Sequence, residues 1–554
     1  MVEIVRTLRA WSWMAVASSF LGMACVAGDD VEDATFRAAP NGPPNILVIL
    51  ADDLGYSDIG AFGGEIATPN LDALAARGRI LTNHHSGFTC SPSRAMLLTG
   101  ADHHLVGFGR MGPGTGPQAG QPGYEGYLND RALSVAEILR DHGYHTYMAG
   151  KWHLGSGDDQ TPVQHGFESS YVLVDGFSTH FVQPGQTRQY RENGQYVTPP
   201  ADFYSTAFYT DRIIADIEAR RGDGAPFYAY LAYTAPHWPL QVPAEDLDRY
   251  RGVYDAGYEV IHAGRLARQR SLGLIPQSAT GAALLPASRA PTWDQLTASE
   301  RAFEARRMEI YAAMVENLDR HIGRLVDYLR DIGEYDRTFI WFQSDNGPES
   351  THRDRATADN RLENLGTPSS YIGLGLRWAE VSATPFRLFK GYSAEGGHAV
   401  PAIVALPRQR RAWRSFTGLT HLVDLAPTFL ELAGIPIPGT TYEGRTVHPM
   451  TGHSLLPVLR GQQATVRSET DVLADEQNNH RYVVRGRWKL LWLGPPYNLS
   501  PANWELYDLA VDRSETQDVA AEHPDVVAAL IDEWNAYVEE NGVILLPGNA
   551  AGGR

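Results

Sequence analysis

The sequence predicts an α/β protein: a large mixed, mostly parallel sheet sandwiched by helices, followed by a smaller α+β unit. Three observations carry that expectation. Unbroken apolar runs recur up to about residue 437, helical patterns lie between them, and the texture changes after Pro438 to short aromatic-rich strands. Continuous apolar runs suit strands covered on both faces. Strands alternating with helices suit a doubly wound sheet.

In chain order, the first segment reads as an export leader over residues 1–28. Arg6 and Arg9 form a positive n-region, Trp11 to Val26 is a short apolar stretch, and the acidic segment Asp29 to Asp33 follows. This is short for a membrane span and fits a signal peptide. Ala24-Cys25 behind Leu21 also resembles a lipoprotein site, with the leucine one place too far upstream. The expected location is therefore periplasmic or secreted, with a lipid anchor on Cys25 as the variant.

Asn41 to Pro44 reads as a linker into the first buried strand, Asn45 to Leu50. Runs of the same kind are Pro226 to Leu231, Thr338 to Phe342 and Pro401 to Leu406. Ser134 to His142 reads as a helix with Ser134 at its N-cap and Glu137 at capping-box spacing. Ser299 to Arg330 reads as a long amphipathic helix, and Ala263 to Pro291 as a surface excursion. The main domain is expected over 44–437. In the unit over 438–554, Tyr482 to Val484, Trp488 to Trp492 and Trp504 to Leu509 read as antiparallel strands. Pro524 to Glu540 reads as a closing helix.

The chain has 554 residues, 43% of them hydrophobic and 20% charged, with a net charge of −18. That balance argues against non-specific binding to nucleic acid or anionic membranes. It also disfavours long polyanionic chains of any kind, which usually meet a basic groove. The 54 Gly and 34 Pro point to long shaped loops. Of two cysteines, Cys25 lies in the leader, so a mature chain would hold Cys90 alone and no internal disulfide.

Ligands collect at the carboxyl ends of strands in such sheets. The first strand runs into Asp52-Asp53, and the third into Ser344-Asp345-Asn346-Gly347. Three carboxylates and an amide are hard oxygen donors that suit Ca²⁺ or Mg²⁺ rather than zinc. Alone, Asp52-Asp53 reads first as a solvated loop or helix cap, and the second acidic strand end is what shifts the reading towards a metal.

Cys90-Ser91-Pro92-Ser93-Arg94, followed by Leu98-Thr99-Gly100, is the most specific motif. It resembles the Cys-x-Pro-x-Arg signature of the sulfatase family. Four further segments appear in that family's order: Gly150-Lys151-Trp152-His153-Leu154-Gly155, Thr234 to Pro239 around His237, Ser344 to Gly347, and Lys390 to Gly397. The resemblance covers roughly residues 44 to 540 and is strongest to bacterial arylsulfatases.

What the resemblance implies is a sulfuric ester hydrolase in which a separate maturation enzyme oxidises Cys90 to formylglycine. A thiol attacking sulfur would leave an adduct with no easy release, whereas one hydroxyl of a hydrated aldehyde attacks and the other expels sulfate. By the same resemblance, Asp52, Asp53, Asp345, Asn346 and the modified Cys90 hold one Ca²⁺. Arg94 and His153 orient the hydrate, Lys151 and Lys390 bind sulfate oxygens, and His237 protonates the leaving group while contacting sulfate. The substrate is expected to be a small aryl sulfate, with alkyl and carbohydrate sulfates as alternatives. Loops 107–126 and 263–291 are expected to form the rim. Phe88, Phe108, Tyr124, Trp238 and Tyr392 read as core before they read as an aryl pocket.

The closest rival is phosphoryl transfer. Two-zinc members of the broader superfamily, and formylglycine phosphonate hydrolases, resemble an Asp-His pattern where this chain has Asn346. A binding protein on a degenerate scaffold would lack a motif residue, and none is missing.

Overall fold

Strand β1 (Asn45–Ala51) lies in the middle of the main sheet, and all seven of its residues are buried. The computed structural model describes residues 42–183, 188–409, 415–494 and 504–547. The leader over 1–28 and Cys25 lie outside them. Alternate residues of β1 feed two cores. Leu47, Ile49 and Ala51 enter one, while Ile46, Val48 and Leu50 enter the other. A strand apolar on both faces can be stable only between two helical layers, as the unbroken run implied.

The other strands of that sheet are β2 (Arg79–Leu81), β4 (His145–Lys151), β5 (Ser169–Leu173), β6 (Tyr190–Glu192), β7 (Gln195–Val197), β8 (Phe227–Ala232), β9 (Thr338–Ser344) and β10 (Ala402–Ala405). A short strand β3 (His84–His85) pairs elsewhere, with Thr420–His421. The order is β2-β10-β9-β1-β8-β4-β5-β6-β7. β9, β1, β8, β4 and β5 are parallel. The run Pro401 to Leu406, expected to join as another parallel strand, is instead antiparallel to both its neighbours. Apolar continuity reports burial of both faces and is silent on direction.

Helices α1 (Pro69–Arg77), α4 (Ser205–Ala219) and α6 (Ala298–Asp331) feed the first core, while α2 (Cys90–Thr99), α3 (Val135–Asp141) and the helix Leu425–Ala433 feed the second. The 34-residue α6 starts one residue before the expected span, where Thr297 and Glu300 form a reciprocal capping box. In α3 only half of the expected box forms. Ser134 Oγ accepts from Ala136 N–H at 3.1 Å, but Glu137 pairs with Arg445 at 2.9 Å instead. An Arg within reach outcompetes the helix's own amide for that carboxylate.

The segment 263–291 is corrected in its first part. Helix α5 (Tyr258–Ser271) carries it inward, and the Arg265 guanidinium is fully buried, at 2.6 Å from Asp58 and 2.7 Å from Glu65. An Arg-rich pattern looks solvated until its carboxylate partners are located.

Strands β11 (Val472–Gln477), β12 (His480–Arg485), β13 (Trp488–Trp492) and β14 (Glu505–Asp508) form an antiparallel sheet, and the helix Pro524–Asn541 packs on it. Val483, Leu490 and Leu506 face that helix, while Tyr482, Leu491 and Tyr507 join the first core. Buried ion pairs and a hydrogen bond tie β11 and the closing helix to the turn that follows α2. His104 lies 3.0 Å from Asp102 and 3.4 Å from Glu476, and the Tyr537 hydroxyl donates to Asp102 at 2.8 Å.

Burial alone would depress the His104 imidazole, but its hydrogen bonds to Asp102 and Glu476 outweigh that and push it up to about 10. The folded state then holds this proton more tightly than the unfolded chain, whose value is near 6.5. The contribution is complete below pH 6.5 and is lost as pH rises towards 10. Thermal unfolding midpoints are therefore expected to fall across that window, and His104→Gln is expected to flatten the fall. An unchanged slope in the variant would exclude this site as its source.

Candidate active site

β1 and β9 pair in register with Ala51 opposite Ser344, so Asp52-Asp53 and Asp345-Asn346 leave the sheet side by side. All four side chains are buried. Asp53 takes φ 65°, a left-handed backbone uncommon outside glycine, and its N–H donates to Asp345 Oδ1 at 3.2 Å. That turn directs two successive carboxylates to one point.

Cys90 opens α2, ten residues long and buried throughout. Its Sγ lies 3.6 Å from Asp52 Oδ1 and 3.9 Å from Asp53 Oδ1. One donor atom each from Asp52, Asp53, Cys90 and Asp345 falls within 4.8 Å of the others. Arg94, one turn along the same helix, sends Nε and Nη2 to Asp345 Oδ2 at 3.1 and 2.7 Å and Nη1 to the Lys151 carbonyl at 3.0 Å.

Lys151 ends β4, with Nζ 2.8 Å from Asp52 Oδ2. Gly150 before it has φ 117°, and a Cβ there would lie 1.8 Å from the Ala232 carbonyl oxygen. Only glycine lets the two strands meet at that point. His153 follows at φ 56°, and a Cβ on Gly176 would lie 2.6 Å from its ring, so these two positions are matched. Lys390 reaches Asp53 Oδ1 at 2.7 Å. Its loop leads into Glu395, which Lys489 of β13 holds at 2.8 Å and His85 at 2.9 Å. The C-terminal sheet thus anchors the loop that carries Lys390. His237 Nδ1 donates to the Trp238 carbonyl at 2.7 Å, leaving Nε2 3.5 Å from Asp53 Oδ2.

Three buried carboxylates are therefore matched by Arg94, Lys151 and Lys390. Burial raises Asp53 to about 7 despite Lys390. Burial also acts to raise Asp345, but Arg94 and then Lys151 outweigh it and hold Asp345 at about 2. Burial pushes the Cys90 thiol upward, and Asp345 pushes it further. Burial and the nearby Lys151 depress both His153 and His237 well below the usual imidazole range.

Two oxygens of this cluster, Asp53 Oδ2 and Asn346 Oδ1, are buried without a hydrogen-bond partner among the described residues. Orphaned buried acceptors are costly unless a cation or water completes them. With Asp52 and Asp345 they make an all-oxygen set that fits a hard divalent ion.

The site opens into a cavity of about 670 Å³ lined by Cys90, Lys151, His153, His237 and Lys390 on its floor side of the sequence motifs, and by Phe177, Trp238 and Tyr371 beyond them. Phe177 packs on Trp238 with centroids 4.3 Å apart, and Tyr371 lies 5.9 Å from Trp238. All ten residues singled out in the sequence, from Asp52 to Lys390, thus converge on one end of the sheet.

The rim differs from expectation. Met111 is the contribution of loop 107–126, and none of the residues lining the cavity comes from 263–291. Trp238 lines it, whereas Phe88, Phe108 and Tyr124 are core, and Tyr392 packs on His480. Phe177, Tyr371, Gln189, Arg353 and Arg355 were not singled out. They lie in loops with no periodic or motif signal.

Fold and site together describe an α/β protein with a cation-lined anion site around one buried cysteine. The chain belongs to the sulfatase family: the Sulfatase family model matches residues 44–435, and the model for the N-sulphoglucosamine sulphohydrolase C-terminal region matches 388–539. It is a sulfuric ester hydrolase. It is 40% identical to an uncharacterized sulfatase of Schizosaccharomyces pombe, over 92% of this chain and 96% of that one. It is 36% identical to an arylsulfatase of Klebsiella aerogenes, over 78% of this chain and 96% of that one. The crystal structure of Ps i-CgsB shares the fold, with TM-score 0.65 and 23% identity over 92% of this chain and 95% of that one.

Proposed function

We propose that this sulfatase hydrolyses aryl sulfate esters to a phenol and inorganic sulfate, using formylglycine made from Cys90 and one calcium ion. The observation that carries the reading is the placement of Cys90. Its Sγ, standing where an oxygen of the formylglycine hydrate would sit, faces Asp52 and Asp53 at 3.6 and 3.9 Å on the floor of an aromatic-walled cavity. As a thiol it is a poor nucleophile there, because burial and carboxylates keep it protonated. The Klebsiella aerogenes relative, named an arylsulfatase, supports the aryl substrate.

Asp52, Asp53, Asp345, Asn346 and the modified Cys90 would hold calcium. When bound, calcium polarises the sulfate group and lowers the nucleophile's pKa, while the formylglycine hydrate supplies an oxygen nucleophile. Lys151 and Lys390 bind sulfate oxygens and stabilise the charge that grows on them. Arg94 holds Asp345 and, with His153, orients the side chain at position 90. His237 is the general acid: Nδ1–H is committed to the Trp238 carbonyl, so Nε2 faces the leaving oxygen, and the anionic ester bound beside it favours the imidazolium from which Nε2 gives up its proton.

Cys90 is 1% exposed in the folded protein, which supports modification by a maturation enzyme before folding closes the site. The leader over 1–28 would direct export to the periplasm or beyond, with Cys25 as the point of lipid attachment in an anchored form.

The decisive test is mass spectrometry of the Cys90 peptide from protein co-produced with a formylglycine-generating enzyme, alongside turnover of 4-nitrophenyl sulfate. Activity should track the converted fraction, disappear with a chelator and return with calcium. Full activity from unconverted cysteine would overturn the reading. His237→Ala is expected to lower kcat/KM on the order of 10³-fold for phenyl sulfate, a poor leaving group, and less than about tenfold for 4-nitrophenyl sulfate. Equal losses on both would remove His237 from the general-acid role.

A further inference from the structure

Above the sulfate site the cavity carries charge that sulfate binding does not use. Lys151 and Lys390 are engaged with Asp52 and Asp53 at the floor. Arg353 and Arg355 lie higher, on the loop after β9. The Arg353 guanidinium sits 4.7 Å from the Trp238 ring centroid, and Arg355 sits 3.8 Å from that of Tyr371 while donating to its hydroxyl at 3.0 Å. Stacking fixes the plane of a guanidinium yet leaves edge N–H groups free for an oxyanion.

Neither arginine has a carboxylate within ion-pair distance among the described residues. Glu349, on the same loop, is directed to the Thr351 amide at 3.0 Å and to Lys390 at 3.7 Å. Asp175 also lines the cavity but pairs with neither arginine. Among the described residues the buried indole N–H of Trp238 is without a partner as well. A cavity of about 670 Å³ is in the range that encloses a drug-sized ligand, well beyond a sulfate group.

Building on the aryl sulfate reading, we infer that the preferred substrate is an aromatic sulfate ester with a second anionic substituent, held by Arg353 and Arg355. The ring lies among Phe177, Trp238 and Tyr371, the sulfate points to Cys90, and the second oxyanion meets the two guanidinium edges. These arginines set specificity and touch none of the reacting atoms.

The test compares 3-carboxy-4-nitrophenyl sulfate with its uncharged carboxamide analogue, which matches it in shape. The converted enzyme should favour the carboxylate by about tenfold or more in kcat/KM at low ionic strength, a preference that shrinks with added salt. Arg353→Gln/Arg355→Gln should abolish that preference while carboxamide turnover stays within about twofold. Both residues are exposed, so the fold should tolerate the change; the wild-type ratio is in any case an independent reading. Equal kcat/KM for the two esters in the wild type, or equal losses on both in the variant, would overturn the inference. Failure of the converted enzyme to turn over either ester would overturn the aryl sulfate reading itself, and this inference with it.

Discussion

Cys90→Ala is expected to lower sulfate ester turnover by on the order of 10⁴-fold or more, the scale seen when a covalent nucleophile is deleted. The side chain at position 90 is the point on which the whole centre converges: α2 starts there, Asp52 and Asp53 face it, and the cavity opens over it. The thiol makes only long contacts at 3.6 and 3.9 Å, so its removal should change folding stability by less than about 2 kcal/mol. The comparison requires kcat/KM on 4-nitrophenyl sulfate together with an unfolding curve. A folded variant that retains more than a tenth of the activity would refute the role assigned to this position. A metal-activated water would then have to be the nucleophile.

Asp345→Asn is expected to remove activity and also to destabilise the fold, which separates it from Cys90→Ala. Arg94 is 0% exposed, and two of its nitrogens rest on one oxygen of Asp345. Neutralising that carboxylate leaves a buried guanidinium with Asp52 at 3.6 Å as its one remaining carboxylate among the described residues. Breaking one side of a buried ion pair typically costs about 3 to 5 kcal/mol, because the remaining charge is uncompensated. Denaturant unfolding should show a loss of that order. Adding Arg94→Met to Asp345→Asn should restore part of the stability and none of the activity. Two single variants whose stability losses simply add would show that the pair is not coupled.

The local parts of the site were legible because each is written within a few residues. An apolar run followed by Asp52-Asp53, and another followed by Asp345-Asn346, place oxygen donors at strand ends whatever the loops do. Cys90 and Arg94 are one helical turn apart, so the helix that carries one presents the other on nearly the same face. The antiparallel direction of β10 was not legible, since periodicity records which faces are buried and not which way the chain runs. Nor was the buried setting of Arg265, whose partners Asp58 and Glu65 lie about two hundred residues away in sequence.

By itself, then, the sequence determined the architecture class, the family and the residues that meet at the centre, because strand runs and short motifs are local properties of the chain. Only the tertiary structure decided what surrounds that centre. Phe177 after β5, Trp238 after β8, and Arg353 and Tyr371 in the excursion after β9 share one cavity because the parallel sheet delivers its connecting loops to a single edge. The same packing sets Lys489 of the C-terminal sheet under the Lys390 loop. Each of these contacts depends on the relative placement of elements distant in sequence, which burial and loop closure set and no local pattern encodes.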